Sequence, residues 1–89
     1  MVVTYDAAKD VENRRKHGIS LQRAEDFDFD SAFFDQDDSQ DYGEDRWTAI
    51  GWLDAMIYTL ILTFQPTSIR AISLRRSTEA ERKLYAEYE

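Results

Sequence analysis

The stretch from Arg46 to Arg76 constrains the fold more than any other part of the chain. It reads as three runs, RWTAIGWL, AMIYTLILTF and SIRAISLRR, separated by two short breaks. The runs are rich in Ile, Thr and aromatic residues and hold both tryptophans, and side chains of that kind pack well on a pleated surface. The break at Leu53, Asp54 and Ala55 is short enough for a tight hairpin. The break at Gln65-Pro66-Thr67-Ser68 puts proline in a turn, where its missing N–H costs no ladder hydrogen bond. These features predict a three-stranded antiparallel meander on which everything else must pack.

Length sets the scale of the core. A chain of 89 residues is expected to form one domain, residues 1–89, and to bury only roughly 60 to 65% of its unfolded surface, so an oligomer or a partner would add stability. There is no cysteine, which excludes disulfides, zinc–thiolate sites and thiol nucleophiles. MVVTYDAAKD does not read as a signal peptide, and the longest apolar run, near Ala55 to Phe64, is too short to span a bilayer. The expectation is a soluble cytoplasmic protein with no membrane association.

The net charge of -7 is unevenly spread. Ten acidic residues and no basic one lie between Glu25 and Asp45, which leaves eight acidic and eleven basic residues elsewhere, a balance of +3. Two surfaces of opposite sign are therefore expected. The Asp spacing in this segment invites comparison with a calcium loop. Counted from Asp35, however, the sixth position is Gln40 where the turn glycine belongs, and the twelfth is Arg46 in place of the bidentate glutamate. The comparison fails, and the segment reads as a solvated acidic loop with no metal site.

In chain order, Val2, Val3 and Tyr5 suit a short first strand, and Asp6 caps a helix over Ala7 to His17 that has only Ala7, Ala8 and Val11 to bury. Gly18 is a left-handed stop. Ser20 caps a second, shorter helix through Leu21 and Ala24 toward Phe27. Phe27 to Asp30 alternates apolar and acidic residues, so it reads as the end of that helix or as an exposed strand before the acidic loop. Thr78 to Glu81 fits a capping box for a last helix whose Ala80, Leu84 and Tyr88 share one face, expected to lie on the sheet. The predicted fold is α+β: a three- to four-stranded antiparallel sheet, two N-terminal helices and one C-terminal helix.

Three segments, in order, resemble the BrnT family of toxins from bacterial type II toxin–antitoxin systems. TYDAAKDVENRRKHGISLQRA is similar to that family's aromatic-x-Asp-x-x-Lys, Asn, Lys-His-Gly and Val/Ile-Ser pattern. GEDRWTAIG resembles its Glu-x-Arg-aromatic-x-x-x-Gly strand, and SIRAISLRRSTEAERKLY its Ile-Arg-x-Ile-Ser-x-Arg, Thr, Glu-Arg and Tyr ending. The resemblance implies a RelE-like fold and an RNA endonuclease that uses no metal or other cofactor. It also implies a BrnA-like ribbon-helix-helix antitoxin, through which alone the toxin meets operator DNA, in a homodimer or a heterotetramer with the antitoxin.

Cleaving RNA by attack of its own 2′-hydroxyl requires a base for that proton, donors for the charge growing on the phosphate, and an acid for the leaving oxygen. Arg46, Arg70 and Arg75 are the leading phosphate ligands, because a guanidinium can donate two parallel hydrogen bonds to an oxyanion. In a regular strand Arg70 and Arg75 point to opposite faces, so both serve one site only if a bulge or strand end redirects one; Arg76 is the substitute if Arg75 points away. Without the resemblance, simple pairing with Glu44, Asp45 or Glu81 is the favoured account of these arginines.

His17, the only histidine, is the candidate base or acid, although a histidine in the last turn of a helix also simply complements its dipole. Glu44 or Asp45 is the alternative base, Lys16 adds positive charge, and Tyr85 is a candidate for stacking on a base or sharing in proton transfer. One departure stands out: where many family members have Glu-Arg-Gly, this chain has Phe64-Gln65-Pro66. That missing charged pair supports an alternative function, a catalytically weakened relative that binds the antitoxin and acts as a corepressor.

Overall fold

The computed structural model describes residues 2–37 and 43–89, and the centre of the acidic loop, 38–42, lies outside the described residues. The meander is present with the expected breaks: β3 spans Arg46–Leu53, β4 Met56–Gln65 and β5 Ser68–Arg76. β3 and β4 are joined through Asp54, which adopts φ 55°, a left-handed conformation that Asp tolerates better than most residues. Pro66 sits in the second turn, between the end of β4 and the start of β5.

The sheet is larger than the sequence predicts, and mixed rather than wholly antiparallel. Among the described residues it has five strands in the order β1-β5-β4-β3-β2, with β1 Val3–Thr4 and β2 Phe33–Asp37 at the edges. β1 runs parallel to β5, pairing Val3 with Ile69 and Thr4 with Arg70, while β2 runs antiparallel to β3. β2 occupies a stretch that reads as loop because its acidic side chains dilute any strand signal. Pairing with β3 supplies what local propensity does not.

There is one N-terminal α-helix instead of two. α1, Ala7–His17, starts where Asp6 Oδ1 accepts the Ala8 N–H at 2.8 Å and stops at Gly18, φ 72°, whose N–H donates to the Arg14 carbonyl. The second helical segment, Leu21–Asp26, is a 3₁₀ helix capped by Ser20. It is held to α1 by Asp10, whose carboxylate accepts from Ser20 Oγ and the Leu21 N–H, and those two bonds keep that carboxyl below the usual carboxylate range, the Leu21 N–H contributing most. Leu21, Ala24 and Phe27 are buried against Ala49, Leu60, Leu62, Ala71 and Leu74 on one face of the sheet.

The helix faces also differ from the expectation. Val11 is 57% exposed, and the residue α1 buries is Asn13. Its side-chain amide donates to the Leu74 carbonyl at 2.8 Å and the Ile19 carbonyl at 2.9 Å and accepts the Leu74 N–H at 3.0 Å. Asn13 thus satisfies the outer edge of β5 beyond the point where β1 ends. α2, Glu79–Tyr88, begins at the predicted capping box, but it turns Glu81 and Tyr85 inward and leaves Leu84 42% exposed. The pair between Glu81 and Arg75 fixes that rotation, and Tyr85, four residues on, follows on the same face. α2 lies over the other face of the sheet, with Tyr85 against Trp52 and Tyr88 against Phe33.

Candidate active site

The position of the arginines is decided by a bulge. Ile61 pairs with Ser73 and Leu62 with Ala71, so Ile72 is an extra residue in β5. Ile69 and Ala71 are buried before it and Leu74 after it, which shifts the inward-facing set from odd to even positions. Arg70 and Arg75 consequently point to the same face, away from the hydrophobic cluster. Arg46 joins them. Trp47 pairs with Leu62 and Thr63 with Arg70, so Arg46, Thr63 and Arg70 form one row across three strands. The two arginines start about 10 Å apart across the buried Thr63, a span that their long side chains close from either side.

Glu44 fills the space between them. One carboxylate oxygen lies 3.5 Å from Arg46 Nε, and the other accepts a hydrogen bond from Arg70 Nη2. All three side chains are half-buried. They line a hollow closed by Asp6, the cap of α1, by Lys9 of α1 and by Ala71 and Ile72 of β5. A second hollow adjoins it, lined by Lys9, Glu12, Asn13, Lys16, His17, Ile72 and Ser73. Because Lys9 and Ile72 border both, the two form one groove between α1 and the bulged part of β5. Lys16 lies 3.1 Å from Glu12, which Arg15 also contacts at 2.9 Å, and these two cations, Arg15 foremost, hold the Glu12 carboxyl below its ordinary range. His17 is exposed at the far end, eight residues or about 12 Å along the helix from Lys9.

A family model described as the ribonuclease toxin, BrnT, of type II toxin–antitoxin systems matches residues 5–81. The chain belongs to this family. Comparison with curated protein sequences finds no match. Membership carries two statements: BrnT proteins are ribonuclease toxins, and a type II system supplies each toxin with a cognate antitoxin. The match spans the whole groove, from Asp6 to Ser73, while Tyr85 falls outside it.

In this BrnT chain the remaining candidates lie apart from the groove. Arg75 is on the correct face but engaged by Glu81 through two parallel hydrogen bonds of 2.7 and 2.9 Å. The pair raises the Arg75 pKa and, with the Thr78 N–H, lowers that of Glu81 to about 2. Arg76 is exposed at the end of β5 and lies with Arg82 beside Trp52 and Met56, away from the groove. Tyr85 is 3% exposed and its hydroxyl donates to the Ser31 carbonyl at 3.1 Å, so its ring is a wall between α2 and the sheet with no face open for stacking. Asp45 is exposed next to Glu44.

Sequence reasoning missed Lys9, although it stands three residues after Asp6 in the Asp-x-x-Lys part of the pattern quoted for the resemblance. Among the described residues no three His, Asp or Glu side chains are grouped to hold a metal ion, and no helix is long and apolar enough to cross a membrane.

Proposed function

We propose that this chain is a cytoplasmic endoribonuclease toxin, RelE-like in fold, whose reaction centre is the Glu44–Arg46–Arg70 cluster. The observation that carries the reading is a carboxylate held between two guanidinium groups. A phosphodiester has the same planar pair of anionic oxygens to offer and enters by displacing Glu44 from one or both arginines. The displaced carboxylate is then beside the substrate as the base that takes the 2′-hydroxyl proton. The 2′-oxygen attacks phosphorus, Arg46 and Arg70 stabilise the charge that accumulates there, and the 5′-oxygen leaves with a proton from solvent at the open mouth of the hollow. The products are a 2′,3′-cyclic phosphate and a 5′-hydroxyl end. No metal or other cofactor enters these steps. Lys16 and His17, too far along the groove to reach the same phosphate, contact flanking nucleotide. The cognate antitoxin, BrnA-like with a ribbon-helix-helix domain that binds operator DNA, neutralises the toxin by covering the groove.

The test is expression without the antitoxin, followed by growth, RNA integrity and end-group analysis. Arg70→Ala is expected to lower cleavage by about 10²- to 10³-fold, the cost of removing one donor to a developing oxyanion, while His17→Ala, at the flanking position, lowers it by about tenfold or less. A wild-type chain that is harmless and leaves RNA intact, yet binds its antitoxin tightly, would overturn the nuclease reading and leave the antitoxin-binding alternative. That second reading draws on one feature. Gln65, in place of a charged residue, is engaged by Thr4 and Ser68 hydroxyls, so this end of the sheet adds no cation to the site.

A further inference from the structure

We infer that the groove between α1 and β5 is a track for at least two consecutive phosphates of one RNA strand, with Lys9 holding the second. The inference rests on the reading of Glu44, Arg46 and Arg70 as the site of the first. Three observations carry it. Lys9 is common to both hollows, so a strand leaving the arginine pair along the groove passes it. Of the carboxylates within its helical reach, Glu12 is shared by Arg15 and Lys16, and Asp6 accepts the Ala8 N–H through one oxygen. No ion pair to Lys9 occurs among the described residues, whereas Lys16, Arg46 and Arg70 each have a carboxylate partner. An exposed cation left uncompensated in a concave wall concentrates positive potential at that point.

The third observation is Ile72. As the extra residue of the bulge it sits between the two hollows, half-buried, and offers an apolar surface in a channel otherwise edged by charge. A base turned inward from the strand rests on Ile72 while the phosphates on either side meet Lys9 and the arginine pair. Such an arrangement takes a single strand, whose bases are free to turn, and refuses a duplex, whose bases are stacked and paired.

The experiment uses 2′-O-methyl oligonucleotides, which lack the attacking hydroxyl, of two nucleotides (one phosphate) and five nucleotides (four phosphates), with binding followed by calorimetry. Lys9→Ala is expected to weaken the five-nucleotide ligand about 5- to 10-fold, to reduce the slope of log K against log salt by about 0.7, and to leave the two-nucleotide ligand within twofold. Lys9→Arg restores the longer ligand, and Arg70→Ala weakens both. If Lys9→Ala weakens both ligands equally, or neither, the track is overturned while the reaction centre stands. If neither ligand binds the wild-type chain, or Arg70→Ala changes nothing, the reaction centre falls and the track with it. Lys9 is exposed, so its variants retain the fold, and circular dichroism checks that they do.

Discussion

Asn13 joins α1 to the edge of β5, and replacing it tests both the fold and the groove. The side chain is 5% exposed and makes three hydrogen bonds, two to Leu74 and one to Ile19. At about 1 kcal/mol net for each, and with the N–H and carbonyl of a buried residue left unpaired, Asn13→Ala is expected to cost about 3 kcal/mol. For a domain of this size that is a large share of the total stability and lowers Tm by about 12 to 24 °C. Urea denaturation followed by circular dichroism measures it. Asn13→Asp sharpens the test. Its carboxylate still accepts the Leu74 N–H but faces two carbonyl oxygens, so burial and repulsion raise its folded pKa above the unfolded value near 3.9. The penalty is therefore full at pH 7 and shrinks as the pH falls through that raised pKa. An alanine variant that loses less than about 1 kcal/mol, or an aspartate variant as stable as wild type at pH 7, would refute the account of Asn13 as a substitute strand.

Two further outcomes follow from packing and charge. A Cβ at Gly51 would lie 3.0 Å from Ala32 Cβ, 3.1 Å from Phe27 Cζ and 3.3 Å from Ala32 Cα; Gly51→Ala is expected to cost about 1 to 3 kcal/mol, with Ala32→Gly in the same chain recovering part of it, as a double-mutant cycle in urea would show. Glu81, with its pKa lowered from 4.5 to about 2, contributes stability that is present above pH 4.5 and lost as the pH falls toward 2; allowing for solvent screening the amount is about 1 to 2 kcal/mol, and Glu81→Gln should flatten the stability profile over that window.

The parts of the fold that are legible in the sequence are those that local chemistry determines. Proline in one turn, a short break around Asp54 in the other, Asp6 and Thr78 as caps and Gly18 as a stop each satisfy a requirement of their own few residues, and each is found in place. What escapes is set by partners distant in sequence. β2 exists because β3 offers it a ladder, from Phe33 with Ile50 to Asp37 with Arg46. α1 is anchored by a polar residue, so a search for apolar positions overlooks Asn13. α2 takes its rotation from Arg75, so its inward tyrosine is Tyr85, one position from the apolar stripe that begins at Ala80. The bulge left a trace. In SIRAISLRR the inward-facing set Ile69, Ala71 and Leu74 breaks alternation at Ile72 and Ser73, and a bulge there is what brings Arg70 and Arg75, an odd number of positions apart, to one face. Arg46 and Arg70 are recognisable by residue type, and Glu44 enters as their pairing partner and alternative base. Lys9 gains its meaning only once the helix lies beside the bulged strand.

The order of strands explains how a chain of charge -7 holds a groove suited to a polyanion. β2, with Asp35 and Asp37, is at one edge of the sheet, and β5, with Arg70, is three strands away. At about 4.8 Å per strand the two are separated by about 14 Å, beyond the screening length of about 8 Å at physiological salt. Repulsion from the β2 edge is therefore weak at Arg70, although Asp37 stands opposite Arg46 in the ladder, and in the proposed track Arg46 and Arg70 meet one phosphate at contact distance while Lys9 meets the next. What opposes binding is Glu44, the acid within the site, and there the opposition is useful. It keeps two guanidinium groups aimed at one point, and in the proposed reaction it gives way to a ligand that satisfies both. The net charge of the chain thus says little about its ligand. The sign of the charges within one screening length of the bulge says more.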